Sequence, residues 1–258
     1  MWAHATDDLL LTPPPIFIIV RAMCRNMLSL TRPRIVSALL AAALLTGASG
    51  CGGSGGPVGT KYGDGAVAGS GVLTTRRIDV HFFEGVKIDH DFDINIAQGS
   101  SPRVIITADD NITRLLKPRI NDNILVPEFE QGFRTRKPVR LRIETPDLER
   151  IDHSGRGTVI LDNLSLSNLA LKVSGDGDVS GLGRVDKLWI EAGGDGNLQL
   201  EDVTAKQVDV LLTGKGQVTV MATQKLEATN IGRGEIIYAG NPPETEIDNS
   251  GKGTIRKK

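Results

Sequence analysis

Aromatic residues make up only 4% of this 258-residue chain. Conventional sandwich and enzyme cores carry more large aromatic anchors, so the apolar volume here must come from Val, Ile and Leu. Cysteine is almost as scarce. The two present, Cys24 and Cys51, are not paired at metal-ligand or redox spacing, which argues against a zinc site or a dithiol centre. Charge of one sign is missing too: 30 Lys and Arg stand against 31 Asp and Glu, a net −1, so nothing global attracts nucleic acid. The apolar run at 35–45 has 11 residues, well short of the about 20 that a membrane-spanning helix needs. Glycine, by contrast, is plentiful at 30 residues.

The segment "RPRIVSALLAAALLTGASGC" (32–51) has the organisation of an export signal. Arg32 and Arg34 precede the apolar run, and Gly47, Ala48, Ser49 and Gly50 follow it. Its end resembles the bacterial lipobox, with Ala48 where Leu is commonest. That resemblance implies cleavage after Gly50 and lipidation of Cys51, whose acyl chains would anchor the protein at about 0.8 kcal/mol per buried methylene. Loss of four basic and two acidic residues would leave 26 against 29, a net −3, and no second cysteine for a disulfide. In a Gram-negative host, Gly52 after the cysteine fits sorting to the outer membrane. Residues 1–26 fit a signal poorly, whereas Met27 or Met23 would begin a well-formed one, so 1–50 is set apart from the fold. Residues 51–71 contain "GGSGGPVGTKYGDGAVAGSG", too rich in glycine to offset its ordering entropy, and are expected to be a flexible tether.

The body, 72–258, repeats. "SGRGTV", "SGDGDV", "GGDGNL", "TGKGQV", "IGRGEI" and "SGKGTI" share Gly-x-Gly followed two residues later by an apolar residue, at spacings of 20, 19, 20, 18 and 19. The glycine pairs are Gly155/Gly157, Gly175/Gly177, Gly194/Gly196, Gly214/Gly216, Gly232/Gly234 and Gly251/Gly253. Four residues before each pair stand Ile151, Leu171, Ile190, Val210, Ala228 and Ile247; four after its first glycine stand Val159, Val179, Leu198, Val218, Ile236 and Ile255. Alternating apolar and polar residues between these columns indicate strands with one buried face.

Units this short cannot bury their apolar face alone. Stacked about 4.8 Å apart, they form internal ladders. The expected fold is therefore all-β: a parallel, right-handed β-solenoid of about 18–20 residues per coil. The glycine pair would make each corner, where a positive φ and close approach of coils are expected. The column two before the glycine is polar at both ends (His153, Asn230, Asn249), and Asn230 and Asn249 could stack as an amide ladder.

Residues 72–150 repeat less clearly but also look strand-rich. In "KIDHDFDINIAQG", Ile88, His90, Phe92, Ile94 and Ile96 share one face, while Asp89, Asp91, Asp93 and Asn95 share the other. Strands are expected in 103–112, 121–129 and 138–148, with a helical turn around 111–116. The "FEGVKI" opening, "IAQG", "VIITADDNI" and the later glycine corners together resemble the auto-transporter adhesin head domain family, also called the GIN domain, a domain of unknown function. The resemblance covers about 76–255. It implies a secreted or lipid-anchored bacterial β-solenoid and supplies no catalytic residues to carry over.

A calcium solenoid would need aspartate at a period of nine. Here the residue between the glycines reads Arg156, Asp176, Asp195, Lys215, Arg233 and Lys252, a mixture better suited to charge pairing than to metal. Neither metal nor cofactor is expected. A polysaccharide-modifying enzyme could use Asp176, Asp178 and Asp195, but no aromatic platform accompanies them. The chain is read instead as a non-enzymatic, lipid-anchored protein of the cell envelope whose polar surface serves binding or adhesion; a purely structural lipoprotein is the remaining option. Its expected partners are the membrane, through the lipid, and a glycan or envelope protein, with no nucleic acid. The stripe Arg134, Arg136, Arg140 and Arg142 would hold an anionic ligand unless the Asp89–Asp91–Asp93 face lies beside it.

Overall fold

A computed structural model describes residues 58–59 and 65–258. The signal segment, Gly50 and Cys51 lie outside the described residues. The chain is all-β: β3 (Leu73–Asp79), β4 (Gly85–Ile88), β5 (Asp93–Gln98) and β6 (Arg103–Asp109) lead into a one-turn helix, α1 (Asp110–Thr113). A hairpin of β7 (Leu116–Asn121) and β8 (Ile124–Phe129) follows, then β9 (Phe133–Thr135), β10 (Arg140–Thr145) and β11 (Arg150–His153). The regular coils come from β12 (Val159–Val173), β13 (Val179–Ala192), β14 (Leu198–Leu212), β15 (Gln217–Asn230), β16 (Glu235–Ala239), β17 (Glu244–Asn249) and β18 (Thr254–Lys257).

The two apolar columns are the registers of a parallel β-solenoid. Ile151, Leu171, Ile190, Val210, Ala228 and Ile247 pair in series, as do Val159, Val179, Leu198, Val218, Ile236 and Ile255. Each column gains one rung that the glycine pattern does not mark, because Val86 of β4 pairs with Ile151 and Ile94 of β5 with Val159. Within the stack these side chains are almost wholly buried, and each contributes about 1.5–3 kcal/mol by leaving water. At the last coil the ladder opens, and Ile247 is 47% exposed.

The unequal spacings are absorbed away from the corners. Partners along β12 and β13 shift at Leu161/Leu164, where Asn163 has φ 52°, and those along β14 and β15 shift at Leu200/Thr204 and Ala205/Gln207. Bulges thus take up the length differences while the glycine corners stay in line.

The other end of the solenoid is closed by the segment between β5 and β11. Here β10 lies parallel to β5 and antiparallel to β6, and β3 adds antiparallel to β6. The β7–β8 hairpin turns at Asp122 and Asn123 (φ 50° and 60°), and β8 pairs with β4. The helix spans Asp110–Thr113 rather than 111–116, because residues from Leu116 onward enter β7.

Part of the segment expected to be a tether is paired. Val58–Gly59 (β1) and Val67–Ala68 (β2) flank β9, and Val67 and Gly69 donate backbone N–H bonds of 2.9 and 2.8 Å to Gly132 and Arg134. Glycine permits this docking, since a Cβ on Gly69 would stand 1.8 Å from the Asp109 carboxylate. Asn111 completes the clamp by donating to the Ala68 carbonyl at 2.7 Å.

Candidate functional site

Each glycine corner is a place where two coils touch backbone to backbone. A Cβ on Gly175, Gly194, Gly214, Gly232 or Gly251 would lie 1.8–2.4 Å from a carbonyl oxygen of the coil before. For the second glycines, Gly196, Gly216, Gly234 and Gly253, the distance is 1.9–2.1 Å; a Cβ on Gly177 would meet His153 Nε2 at 2.2 Å and the Gly157 oxygen at 2.4 Å. The expected positive φ is absent: no corner glycine adopts the left-handed region. Glycine is required here by proximity.

Gly155 and Gly157 make the same approach to His90 and Phe92, at 1.9 and 2.0 Å from their carbonyl oxygens. The segment around His90 is therefore the first corner of the stack. No coil precedes it at that point, so side chains fill the space. His90 stacks on Phe92 with ring centroids 4.8 Å apart, and Phe129 and Phe133 complete the cluster. Sequence periodicity missed this corner; the matching apolar positions of Val86, Ile88, Ile94 and Ile96 are the signal that could have found it.

Between the two corner positions, glycines in every coil but the first, one side chain per coil projects, forming a column of Asp91, Arg156, Asp176, Asp195, Lys215, Arg233 and Lys252. In the earlier coils these residues serve the backbone. Asp91 accepts from the Arg156 N–H at 3.0 Å and pairs with its guanidinium at 2.8 Å, which raises the Arg156 pKa above its ordinary value. Asp176 accepts from the Asp195 N–H at 3.4 Å, and Asp178 from the Asn197 N–H at 2.8 Å. The aspartates that suggested a metal or catalytic cluster thus tie one corner to the next. Among the described residues, no three His, Cys, Asp or Glu side chains are grouped to hold a metal ion.

Later coils differ. Lys215 forms an ion pair with Asp195 at 2.9 Å, but the Lys215, Arg233 and Lys252 N–H groups bond to the carbonyls of Gly194, Gly214 and Gly232 at 3.2, 2.9 and 2.8 Å. Here the backbone closes its own hydrogen bonds, and the Arg233 and Lys252 side chains form no ion pair among the described residues. A groove lies on each side of this ridge. One, of about 430 Å³, is lined by Asn197, Gln217, Glu235 and Thr254; the other, of about 560 Å³, by Gly193, Thr213, Ile231 and Ser250. Arg256 beside Glu235, at 2.7 Å, holds that carboxyl below the usual carboxylate range, with further help from Gln217.

The arginine stripe is divided. Arg140 and Arg142 of β10 lie in register with Asp93 and Asn95 of β5, so the acidic face does neighbour it. Arg142 bonds Asn95 at 2.7 Å and Glu144 at 2.9 Å. Arg134, on β9, belongs to a different sheet; Arg134, Arg136 and Arg140 are exposed and form no ion pair among the described residues. The four do not make one common site.

The polar column inside the coil carries a shared device. Nε2 of buried His153 lies 3.0 Å from the Gly157 oxygen, and Asn230 and Asn249 donate to the oxygens of Gly234 and Gly253, each at 3.0 Å. Each side chain reaches across its own corner. The expected ladder between Asn230 and Asn249 is thereby replaced, since both amides bond backbone carbonyls, Asn230 also reaching the Thr254 oxygen of the next coil at 3.3 Å. Burial pushes the His153 and His90 pKa values below their ordinary range despite the nearby aspartates.

A family model described as "Putative auto-transporter adhesin, head GIN domain" matches residues 82–242. A solved Bacteroides fragilis structure described as a putative adhesin is 24% identical, with a TM-score of 0.64, covering 75% of this chain and 100% of its own. One from Parabacteroides distasonis, described as a putative lipid binding protein, is 20% identical, with a TM-score of 0.51, covering 75% of this chain and 99% of its own. At these identities the likeness concerns the fold. No curated protein matches the chain.

Proposed function

The chain belongs to the auto-transporter adhesin head GIN domain family, and on that premise we propose that it is a lipid-anchored, non-enzymatic adhesion module of the bacterial cell envelope. The observation that carries this reading is the corner column. A solenoid built on steric glycine pairs presents one side chain per coil, at about 4.8 Å intervals, and in the later coils these side chains stand on a backbone that is already hydrogen-bonded. Such a surface is rigid and repetitive, and it can meet an extended partner along several rungs at once. The grooves beside it are open and polar, a form that suits a glycan or an envelope protein better than a small enclosed substrate.

The anchor half of the proposal rests on the signal segment and Cys51. Acyl chains there would hold the protein in the outer membrane, with the segment 52–71 joining lipid to solenoid. Replacing Cys51 with Ser in the full chain should move the protein from the membrane fraction to the soluble fraction; unchanged membrane retention overturns the lipid anchor. Binding of the full chain, in detergent micelles, to envelope fractions and to a glycan array tests the adhesive half. Absence of any retained fraction or glycan overturns it.

A further inference from the structure

We propose that the ridge formed by Lys215, Arg233 and Lys252 is a binding site for a polyanionic glycan, one bearing carboxylate or sulfate groups. The inference rests on the adhesion reading above and names the class of partner for one part of the surface.

The ridge is the longest run of one sign in the column, where like charges otherwise adjoin only at Asp176 and Asp195. Asp91 faces Arg156, and Asp195 faces Lys215, so opposite charges meet on adjoining coils. Arg233 and Lys252 then follow on the next two coils, which places three cations in succession about 4.8 Å apart. Like charges at this separation repel. The fold draws no evident benefit from them, because the Arg233 and Lys252 N–H groups already bond to carbonyls of the preceding coil. An anion lying along the ridge would remove the repulsion.

The surroundings favour an anionic glycan. Both carboxylates on the walls are already matched, Asp195 by Lys215 and Glu235 by Arg256, so the site's uncompensated charge is positive. The flanking Thr213 and Ser250 hydroxyls, and the amide and hydroxyl oxygens of Asn197, Gln217 and Thr254, whose donors already bond Asp178 and Glu235, suit sugar hydroxyls. Among the described residues no aromatic side chain lines either groove, so they supply no base-stacking platform of the kind single-stranded nucleic acid uses. Ile231 is the one large apolar residue on the walls among the described residues, too little for insertion into a lipid surface.

The test is binding of the full chain in detergent micelles to immobilised polygalacturonate and dextran sulfate, with neutral dextran as control. Wild type should bind one or both polyanions and release them as salt rises. The double variant Arg233→Gln, Lys252→Gln should bind at least about 10-fold more weakly, since charge-assisted contacts are the strong ones. Circular dichroism should show it folded as wild type. A second variant with Arg134, Arg136 and Arg140 changed to Gln should keep wild-type affinity. Equal binding by wild type and the Arg233/Lys252 variant overturns the site, as does loss confined to the Arg134 group. If wild type retains an envelope fraction or a neutral glycan but neither polyanion, this inference fails while the adhesion reading stands. If it retains nothing at all, both fail.

Discussion

The first corner of the solenoid and the six that follow occupy the same place in the fold but solve opposite problems. From Gly155 onward, each corner lies directly on the backbone of the coil before it, and any side chain at the glycine positions would strike a carbonyl. At the first corner the same two positions carry His90 and Phe92, whose side chains pack with Phe129 and Phe133. Stacking demands that side chains be deleted, whereas closing the stack demands that they be added. Among the described residues, the scarce aromatics are therefore concentrated where a solenoid core would otherwise open to water. The far end differs again, with Ile247 half exposed and β17 and β18 each paired to one strand among the described residues.

Phe92→Ala would break the comparison most severely. Phe92 is 3% exposed and touches three rings, so its loss should cost about 3–5 kcal/mol in denaturant unfolding. A loss below about 1 kcal/mol would mean that the ring cluster does not close the core.

A smaller, pH-dependent effect sharpens the role of the inner polar column. His153 and His90 have folded pKa values below the ordinary 6.5, so the unfolded chain binds more protons as pH falls. Their contribution is fully present above pH 6.5 and is lost as pH falls toward the folded values, at up to about 1.4 kcal/mol per histidine per pH unit. His153→Asn places at the first glycine corner the residue that Asn230 and Asn249 use to reach their own corner carbonyls. The variant should lie within about 1 kcal/mol of wild type at pH 7.5 and lose less stability than wild type between pH 6.5 and 5. Parallel pH profiles would contradict the assignment.

Much of this architecture was readable because the solenoid repeats its geometry, and with it the residues that the geometry demands. The columns headed by Ile151 and Val159 are the observed registers, rung for rung. The first coil escaped because two conditions for repetition fail there. Its corner has no coil beneath it, which frees His90 and Phe92 from the glycine rule. Its two strands, β4 and β5, are also separated from their partners β11 and β12 by the inserted β6–β10 segment. The docking of Val67–Ala68 was hidden for another reason: glycine content measures what ordering costs, not whether a narrow slot such as that beside Asp109 needs a residue without a Cβ. Of the surface, the charge column could be written down from the repeats. The division between aspartates that tie the backbone and cations left over required the hydrogen bonds of each corner.

The central claim is that the glycines build the corner while, in the later coils, the residue between them is free to serve the surface. Thermal unfolding of Gly232→Ala beside Arg233→Ala tests it most directly, because the two positions are adjacent. A Cβ on Gly232 would lie 2.2 Å from the Gly214 oxygen, so Gly232→Ala should cost about 1–3 kcal/mol and lower Tm by several degrees. Arg233→Ala should stay within about 0.5 kcal/mol of wild type. Equal losses, or a larger loss at Arg233, would contradict the account.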